Sequence, residues 1–351
     1  MSNTITAIIL TKDEEKHIAR CIKSLTPFVN EIWVIDSFST DKTLEIAEEL
    51  GAKTVKHPFE NQAQQFNWAI RNCEIAGDWI WRVDADEYIS EELGEKVSKA
   101  IGTCEQDVNG IYVNKAIVFQ GRKLKHGGWY PAPQIKVIRK GFGESENKVM
   151  DEHLIITSGK AIYVDGDQTD ENLNDLTWWS DKHNKYASRE AINMLQMQYE
   201  MDADAEGVAA KFFGNDAERK RWLKVRYARM PLFLRPFLYF FIRFILKLGF
   251  MDGKQGFIWY VLQGFWYRFL VDAKVYEIKK KFGFDEGKIK KYLIDTGGAK
   301  WSEIIRRSND DTLLILPLRI SLNEEGGGGL CSLTYNLLPL TEVTSTKVQD
   351  F

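Results

Sequence analysis

Four short apolar runs, each followed by a polar loop, occupy the first 85 residues, and the segments between them carry helical spacing. Ile5 to Leu10 reads I-T-A-I-I-L, and beyond T-K-D-E-E the residues Ile18, Cys21, Ile22 and Leu25 fall on one face of a helix. The unit repeats. Ile32 to Ile35 is apolar, Asp36 to Asp41 is a loop rich in capping residues, and Thr43 to Leu50 is a helix closed by Gly51. Ala52 to Val55, Gln62 to Cys73 and Trp79 to Val83 continue as strand, helix and strand. Such alternation requires crossover connections, so it predicts an α/β domain with a mostly parallel, Rossmann-like sheet carrying helices on both faces. Ligands of these sheets bind beyond the carboxyl ends of the strands, which places the loops after Leu10, Ile35 and Val83 on one rim.

From Gly110 to Val164 the pattern turns β-rich, with strand-like pieces at Ile111 to Val118, Gln134 to Arg139 and Ala161 to Val164. A long helix is expected from Leu176 to about Met201. Aromatic and basic residues dominate from about Trp222 to Glu277, and beyond Asp295 no pattern can be placed. The expected organisation is therefore a catalytic-type α/β domain over 1–220, an amphipathic helical region over 221–295 and a tail over 296–351 with no assigned role. A net charge of -3 gives no global reason to bind nucleic acid. Cys21, Cys73, Cys104 and Cys331 are far apart in sequence and suggest neither a zinc site nor a disulfide framework, so a reducing compartment is expected.

The fourth apolar run ends in D-A-D-E, residues 84 to 87. Side chains two apart on extended backbone point the same way, so Asp84 and Asp86 can converge. Their mutual repulsion is relieved by a hard divalent cation such as Mg²⁺ or Mn²⁺, which accepts one or two carboxylates and keeps water and substrate phosphates as its other ligands. D-x-D is common by chance, and a solvated loop is the competing reading. Its place at the end of a buried strand favours the site.

T-K-D-E-E at 11–15, E-I-W-V-I-D-S-F-S-T-D-K-T at 31–43, Q-Q-F-N-W-A-I at 64–70 and G-D-W-I-W-R-V-D-A-D-E at 77–87 together resemble the successive signatures of family 2 inverting glycosyltransferases of GT-A fold. G-G-W-Y-P-A-P-Q at 127–134 and D-E-H-L-I at 151–155 extend the likeness to about residue 190. Within that family the chain is similar to bacterial β-1,4-glucosyltransferases of lipopolysaccharide core or surface polysaccharide synthesis. The resemblance implies transfer of a sugar, glucose by analogy, from a nucleoside diphosphate sugar, UDP-linked by analogy, to a saccharide or lipid-linked acceptor.

Residue by residue, the resemblance implies that Thr11 and Glu14 line the nucleotide pocket and that Asp36 accepts from the base N3–H, although Asp36 and Asp41 also suit turn and helix capping. Gln65 and Arg71 lie on the third helix, where Arg71 either meets the donor or is an exposed helix residue. Asp84 is expected near the ribose and Asp86 on the metal. An inverting transfer also needs a carboxylate base. The family pattern places it at Glu152, with Asp151 second, in a chain that departs from the usual His-Glu pair. D-G-D-Q-T-D-E-N at 165–172 stands where relatives often carry a histidine. Trp129, Tyr130 and Gln134, after two glycines, suit stacking on an acceptor sugar.

Pro231 to Phe250 is strongly apolar, yet Arg235, Arg243 and Lys247 recur in multiples of four and would form one basic stripe on a helix. Charges at those depths disfavour a spanning helix, so an in-plane interfacial helix on an anionic membrane surface is expected, at the cytoplasmic face of the inner membrane. A buried helical hairpin or a homo-oligomer contact is the competing reading. Two alternatives to the transferase remain at this stage, a polyprenyl-phosphate sugar synthase and a non-catalytic nucleotide- or membrane-binding module.

Overall fold

The computed structural model describes residues 3–146, 153–199, 201 and 226–297. The first half follows the alternation: β1 (Ile5–Thr11), α1 (Ile18–Leu25), β2 (Glu31–Asp36), α2 (Thr43–Glu49), β3 (Lys53–Lys56), α3 (Gln62–Asn72) and β4 (Trp79–Asp84). These strands pair in parallel in the order β3, β2, β1, β4. β1 is buried on both faces. Ile5, Ala7 and Ile9 join one hydrophobic cluster with α1, while Ile8 and Leu10 join a second with Phe66 and Ala69 of α3. The four apolar positions read for α1 are its buried face.

The second half continues through β5 (Glu87–Ile89), α4 (Glu91–Thr103), β6 (Val108–Phe119), β7 (Arg122–Lys123), β8 (Pro133–Arg139), β9 (Gly143–Ser145), β10 (Leu154–Ile156), β11 (Lys160–Asp170) and α5 (Leu176–Gln198). β8 joins antiparallel to β4, and β6, β11 and β5 follow it. The sheet is thus parallel under the first three loops and mixed beyond them. α4 is not announced by the alternation, although Ser90 caps it by accepting from Leu93 N and Glu91 and Glu92 fill its first turn.

A buried ion network fixes where the D-A-D-E turn sits. Glu87 is fully buried and pairs with Lys136 Nζ at 2.9 and 3.0 Å, while Lys115 Nζ stands 3.4 Å away. Glu87 also accepts from Asp84 N at 3.1 Å and from the Gln168 side-chain amide. Lys136 reaches it through a bulge in β8: Ile111 pairs with Val137 and Tyr112 with Ile135, which leaves Lys136 as the extra residue. Burial alone would raise the Glu87 pKa, but the two ammonium groups and these hydrogen bonds pull it from 4.5 down to about 2.

The C-terminal helices form α6 (Leu234–Phe241), which runs on as a π turn over Ile242–Leu246, a 3-10 turn Gly249–Asp252, α7 (Gly253–Trp259), a second π turn Tyr260–Trp266, α8 (Tyr267–Lys281) and α9 (Glu286–Gly297). Ala187, Ala191 and Leu195 of α5 share one core with Val271 and Val275 of α8 and Ile289 and Leu293 of α9. α5 therefore packs with the C-terminal helices, across the boundary expected near residue 220. Among the described residues no helix is long and apolar enough to cross a membrane.

The expected basic stripe is not formed. Arg235 is 1% exposed and bound to Asp272, with Nε at 2.7 Å and Nη2 at 2.5 Å, while Nη1 donates to the Ala228 carbonyl at 3.0 Å. Arg243 donates to the Gly127 carbonyl at 2.8 Å and lies over the Trp129 and Tyr239 rings. Lys247 accepts through its backbone carbonyl from Gly127 N at 2.8 Å. A cation that has lost its water needs a fixed partner, so Arg235 turns to the protein interior and Arg243 to the neighbouring loop, while Lys247 stays exposed with its ammonium near Gly128. The apolar side chains are left outside as well. Leu234, Phe237, Phe241, Ile245, Leu246 and Phe250 are all exposed.

Two stability measurements check these pairings. Arg235→Met strands the buried Asp272 carboxylate and should cost about 3–5 kcal/mol in urea unfolding, against under about 1 kcal/mol for a surface arginine. Glu87→Gln strands Lys136 and should cost a similar amount at pH 7. Because the folded-state pKa of Glu87 lies below its unfolded value, its stabilisation is complete above about pH 4.5 and is lost as pH falls towards 2. The stability gap between wild type and Glu87→Gln should therefore narrow across that interval.

Candidate active site

The pairing register brings the carboxyl ends of three strands level. Thr11 is paired with Asp36, and Leu10 with Asp84. The two loops beyond β1 and β2 are laced together: Asp13 N donates to Ser39 Oγ at 2.8 Å, Thr40 N to Asp13 Oδ1 at 2.7 Å and Glu14 N to Thr43 Oγ1 at 2.8 Å. Asp13 and Phe38 hold positive φ angles of 54° and 61° in these loops, and Phe38 stays 52% exposed.

With Glu87 holding the turn from behind, Asp84 and Asp86 are left for the rim. Asp84 Oδ1 is buried with no hydrogen-bond partner among the described residues. Asp86 accepts only a long bond from Asn172 Nδ2, at 3.3 Å, on its carboxylate, while its backbone carbonyl accepts from Arg20 Nη2 and Glu171 N. Burial, then Asp170, with smaller contributions from Asp84 and Glu14, pushes the Asp86 carboxyl up to about 7, against the opposing pull of Lys182. A pocket of this kind has more negative charge than its own donors satisfy.

Glu14 is oriented by His17. Leu173 N donates to His17 Nε2 at 2.8 Å, so the opposite nitrogen, Nδ1, carries the proton that meets Glu14 Oε2 at 2.6 Å. Asp170 is held by Lys115 at 2.8 Å. Among the described residues no three His, Cys, Asp or Glu side chains form a ready-made metal cluster. Asp84, with an unpartnered oxygen, and Asp86, with one long hydrogen bond, nevertheless suit Mg²⁺ or Mn²⁺, which take most remaining ligands from water and phosphate.

The other expected site residues divide. Thr11 is buried with an unpartnered Oγ1 at the rim, as a donor-lining residue would be. Asp36 is fully buried, and its two carboxylate oxygens accept from Ser39 N at 2.9 Å and Ser39 Oγ at 2.5 Å. The capping reading describes Asp36 in this structure, and Asp41 likewise accepts from Thr43 N at 3.0 Å. Gln65 is buried and ties the two loops, meeting His57 Nδ1 at 2.7 Å and donating to Ser37 Oγ at 3.3 Å. Arg71 is not at the rim. It sits in the last turn of α3, which leads into the amino end of β4, and pairs with Glu144 at 3.1 Å.

Trp129 and Tyr130 stand in a loop that the C-terminal helices grip. Asp252 is 1% exposed and accepts from Lys125 N at 3.0 Å, His126 N at 3.1 Å, His126 Nδ1 at 2.7 Å and Tyr260 Oη at 3.0 Å. Gly127 has φ +65°, and a Cβ there would stand 2.1 Å from Tyr260 Oη, so this loop position admits only glycine. Tyr130 lies against Lys123, whose ammonium is 4.0 Å from the ring centroid. Gln134 is half-buried on β8, in register with Val113. Asp151 and Glu152 lie outside the described residues, as does the 296–351 segment apart from the end of α9.

Glu14's clamp by His17, the Lys136 bulge and the approach of Asp170, Asn172 and Lys182 are tertiary features absent from the motif reading. One signal was present: D-G-D-Q-T-D-E-N follows directly on the Ala161 to Val164 run read as strand. β11 pairs with β5 so that Asp170 faces Glu87 in register, which carries the run directly beside the D-A-D-E turn.

Comparison with known proteins agrees with this geometry. Residues 6–165 match the family described as Glycosyl transferase family 2. An uncharacterized glycosyltransferase of Rickettsia felis is 40% identical over 121 residues, which cover 34% of this chain and 42% of that protein. The prophage-derived glycosyltransferase SunS of Bacillus subtilis is 28% identical over 177 residues, 42% of each chain. Among solved structures, glucosyl-3-phosphoglycerate synthase of Mycobacterium tuberculosis, crystallised with Mn²⁺, UDP and glucosyl-3-phosphoglycerate, is 21% identical over 32% of this chain and 44% of its own, with a TM-score of 0.29. The chain spans less than half the length of these curated relatives. Residues 6–165 are thus similar to family 2 glycosyltransferases, and the acidic turn at the end of β4 lies within them.

Proposed function

We propose that the protein is a metal-dependent inverting glycosyltransferase that moves a sugar from a UDP-linked donor to a hydroxyl of a membrane-held saccharide or glycolipid, with glucose as the sugar and cell-surface polysaccharide as the product class. One observation carries the reading: Asp86 is half-buried beside Asp170, Asp84 and Glu14 with too few donors for that charge, at the strand ends where such sheets bind ligands. Asp84 and Asp86 would hold Mg²⁺ or Mn²⁺, whose charge would stabilise the departing nucleoside diphosphate.

The chain's own groups account for the rest of the transfer. The acceptor hydroxyl attacks the anomeric carbon from the face opposite the diphosphate. The bond from that carbon to the phosphate oxygen breaks, and the hydroxyl proton passes to a carboxylate, assigned here to Glu152 with Asp151 as its neighbour. Trp129, gripped between Arg243 and Trp259, offers a ring face to the acceptor sugar.

Membrane attachment in this reading is apolar. The exposed row from Leu234 to Phe250 would enter the acyl boundary at the cytoplasmic face of the inner membrane, while Arg235 serves the protein interior and Arg243 the Gly127 loop.

A thermal-shift panel of UDP-glucose, UDP-galactose and GDP-mannose, each with and without Mn²⁺, tests the donor assignment. A metal-dependent rise for a UDP sugar is expected, and none for any sugar would end the transferase reading. Asp86→Asn should lose that response. It should melt no lower than wild type without metal, because a carboxyl whose folded pKa exceeds its unfolded value destabilises the fold while ionised. Glu152→Gln with undiminished turnover would favour a phosphate acceptor, as in a polyprenyl-phosphate sugar synthase. In flotation assays the wild type should rise with phosphatidylcholine vesicles and the double variant Phe237→Ser, Leu246→Ser should not. Binding seen only with anionic lipid would refute the apolar mode.

A further inference from the structure

α5 begins immediately after the polar run that flanks the acidic turn, and its start is tied to the first loop. Leu173 N bonds His17, Lys16 Nζ donates to Asn174 Oδ1 at 3.0 Å, and Arg20 pairs with Glu171 at 2.7 Å. Asp175 caps the helix by accepting from Trp178 N at 2.8 Å. The opposite face of α5 is locked into the helical core by Ala187, Ala191 and Leu195. Lys182, two turns into the helix, is therefore carried on an element fixed at both ends.

Its side chain is fixed as well. The ammonium lies 4.5 Å from the Trp178 ring centroid and 5.9 Å from that of Tyr186, one turn to either side. Aromatic faces orient a cation without neutralising it. Among the described residues no carboxylate stands within ion-pair distance of Lys182, and yet Asp86, Glu14 and Asp170 all act on it. Burial lowers its pKa, while Tyr186 and these three carboxylates more than offset that, so it stays charged. A long, charged side chain beside three acids, paired with none of them among the described residues, is a cation kept for an anion that the protein itself does not supply. The unpartnered Asp84 Oδ1 and Thr11 Oγ1 at the same rim show further polar capacity left open.

We infer that Lys182 is a donor-binding residue that contacts the diphosphate of the nucleoside diphosphate sugar. The inference rests on the nucleotide-sugar reading above and adds a phosphate contact from α5, outside the residues matched to the family. Lys182 would supply positive charge from α5 beside the carboxylates that would hold the metal. As a point charge on a flexible stem it neutralises phosphate without demanding one fixed geometry.

Titration calorimetry of the full chain in Mn²⁺ with uridine, UMP and UDP separates this role from a structural one. Lys182→Met should weaken UDP binding about tenfold, as loss of one charged hydrogen bond would. It should weaken UMP less and leave uridine unchanged, and Lys182→Arg should recover most of the loss. Equal UDP affinity in wild type and Lys182→Met would overturn the inference while leaving the transferase reading intact. Equal losses for uridine and UDP would mark Lys182 as a packing residue and overturn it too. If wild type itself bound no UDP, the nucleotide-sugar reading would fall and the Lys182 contact with it.

Discussion

Everything at the rim depends on Glu87. A carboxylate at zero exposure is tolerable only because Lys136 and Lys115 meet it, and because Asp84 N and Gln168 occupy its remaining lone pairs. The network joins four separate strands, β5, β6, β8 and β11, to the end of β4. It fixes the backbone of the D-A-D-E turn without using the two aspartates. Asp84 and Asp86 can then remain under-satisfied, which a ligand site requires and a stable turn would avoid.

The helices beyond residue 226 complete the same arrangement from the other side. Arg243 and the buried acid Asp252 are turned towards the G-G-W-Y loop, while the apolar row from Leu234 to Phe250 stays exposed. The helices that carry the apolar face thus also hold the loop that carries Trp129. Any surface that receives Phe237 and Leu246 would fix the position of Trp129 through Arg243 and Gly127, since the intervening turns are short and hydrogen-bonded.

The distribution of charge sets the chemistry. Glu87 is held low by two ammonium groups, whereas Asp86, one residue earlier, is pushed up to about 7 by burial and by other acids. Adjacent carboxyls with opposite shifts show that position relative to Lys136 and Asp170, rather than residue type, divides structure from function in this turn.

The alternation of the first 85 residues determined the parallel half of the sheet, the faces of its helices and the rim on which Thr11, Asp84 and Asp86 meet, because periods of 2 and 3.6 in apolar residues are local properties of the chain. The pattern could also place Asp36 at the end of β2, but only the folded loop showed Ser39 occupying both of its carboxylate oxygens. Arg71 illustrates the same limit, since helix spacing gives a face and not the end of the sheet it serves. Of the basic stripe of Arg235, Arg243 and Lys247, only Lys247 stays exposed, while Arg235 and Arg243 are taken up by protein partners. Whether a cation faces lipid or protein depends on partners 37 and 116 residues away in sequence, Asp272 and Gly127. Tertiary structure alone could decide that, since the desolvation of a charge is settled by what finally surrounds it.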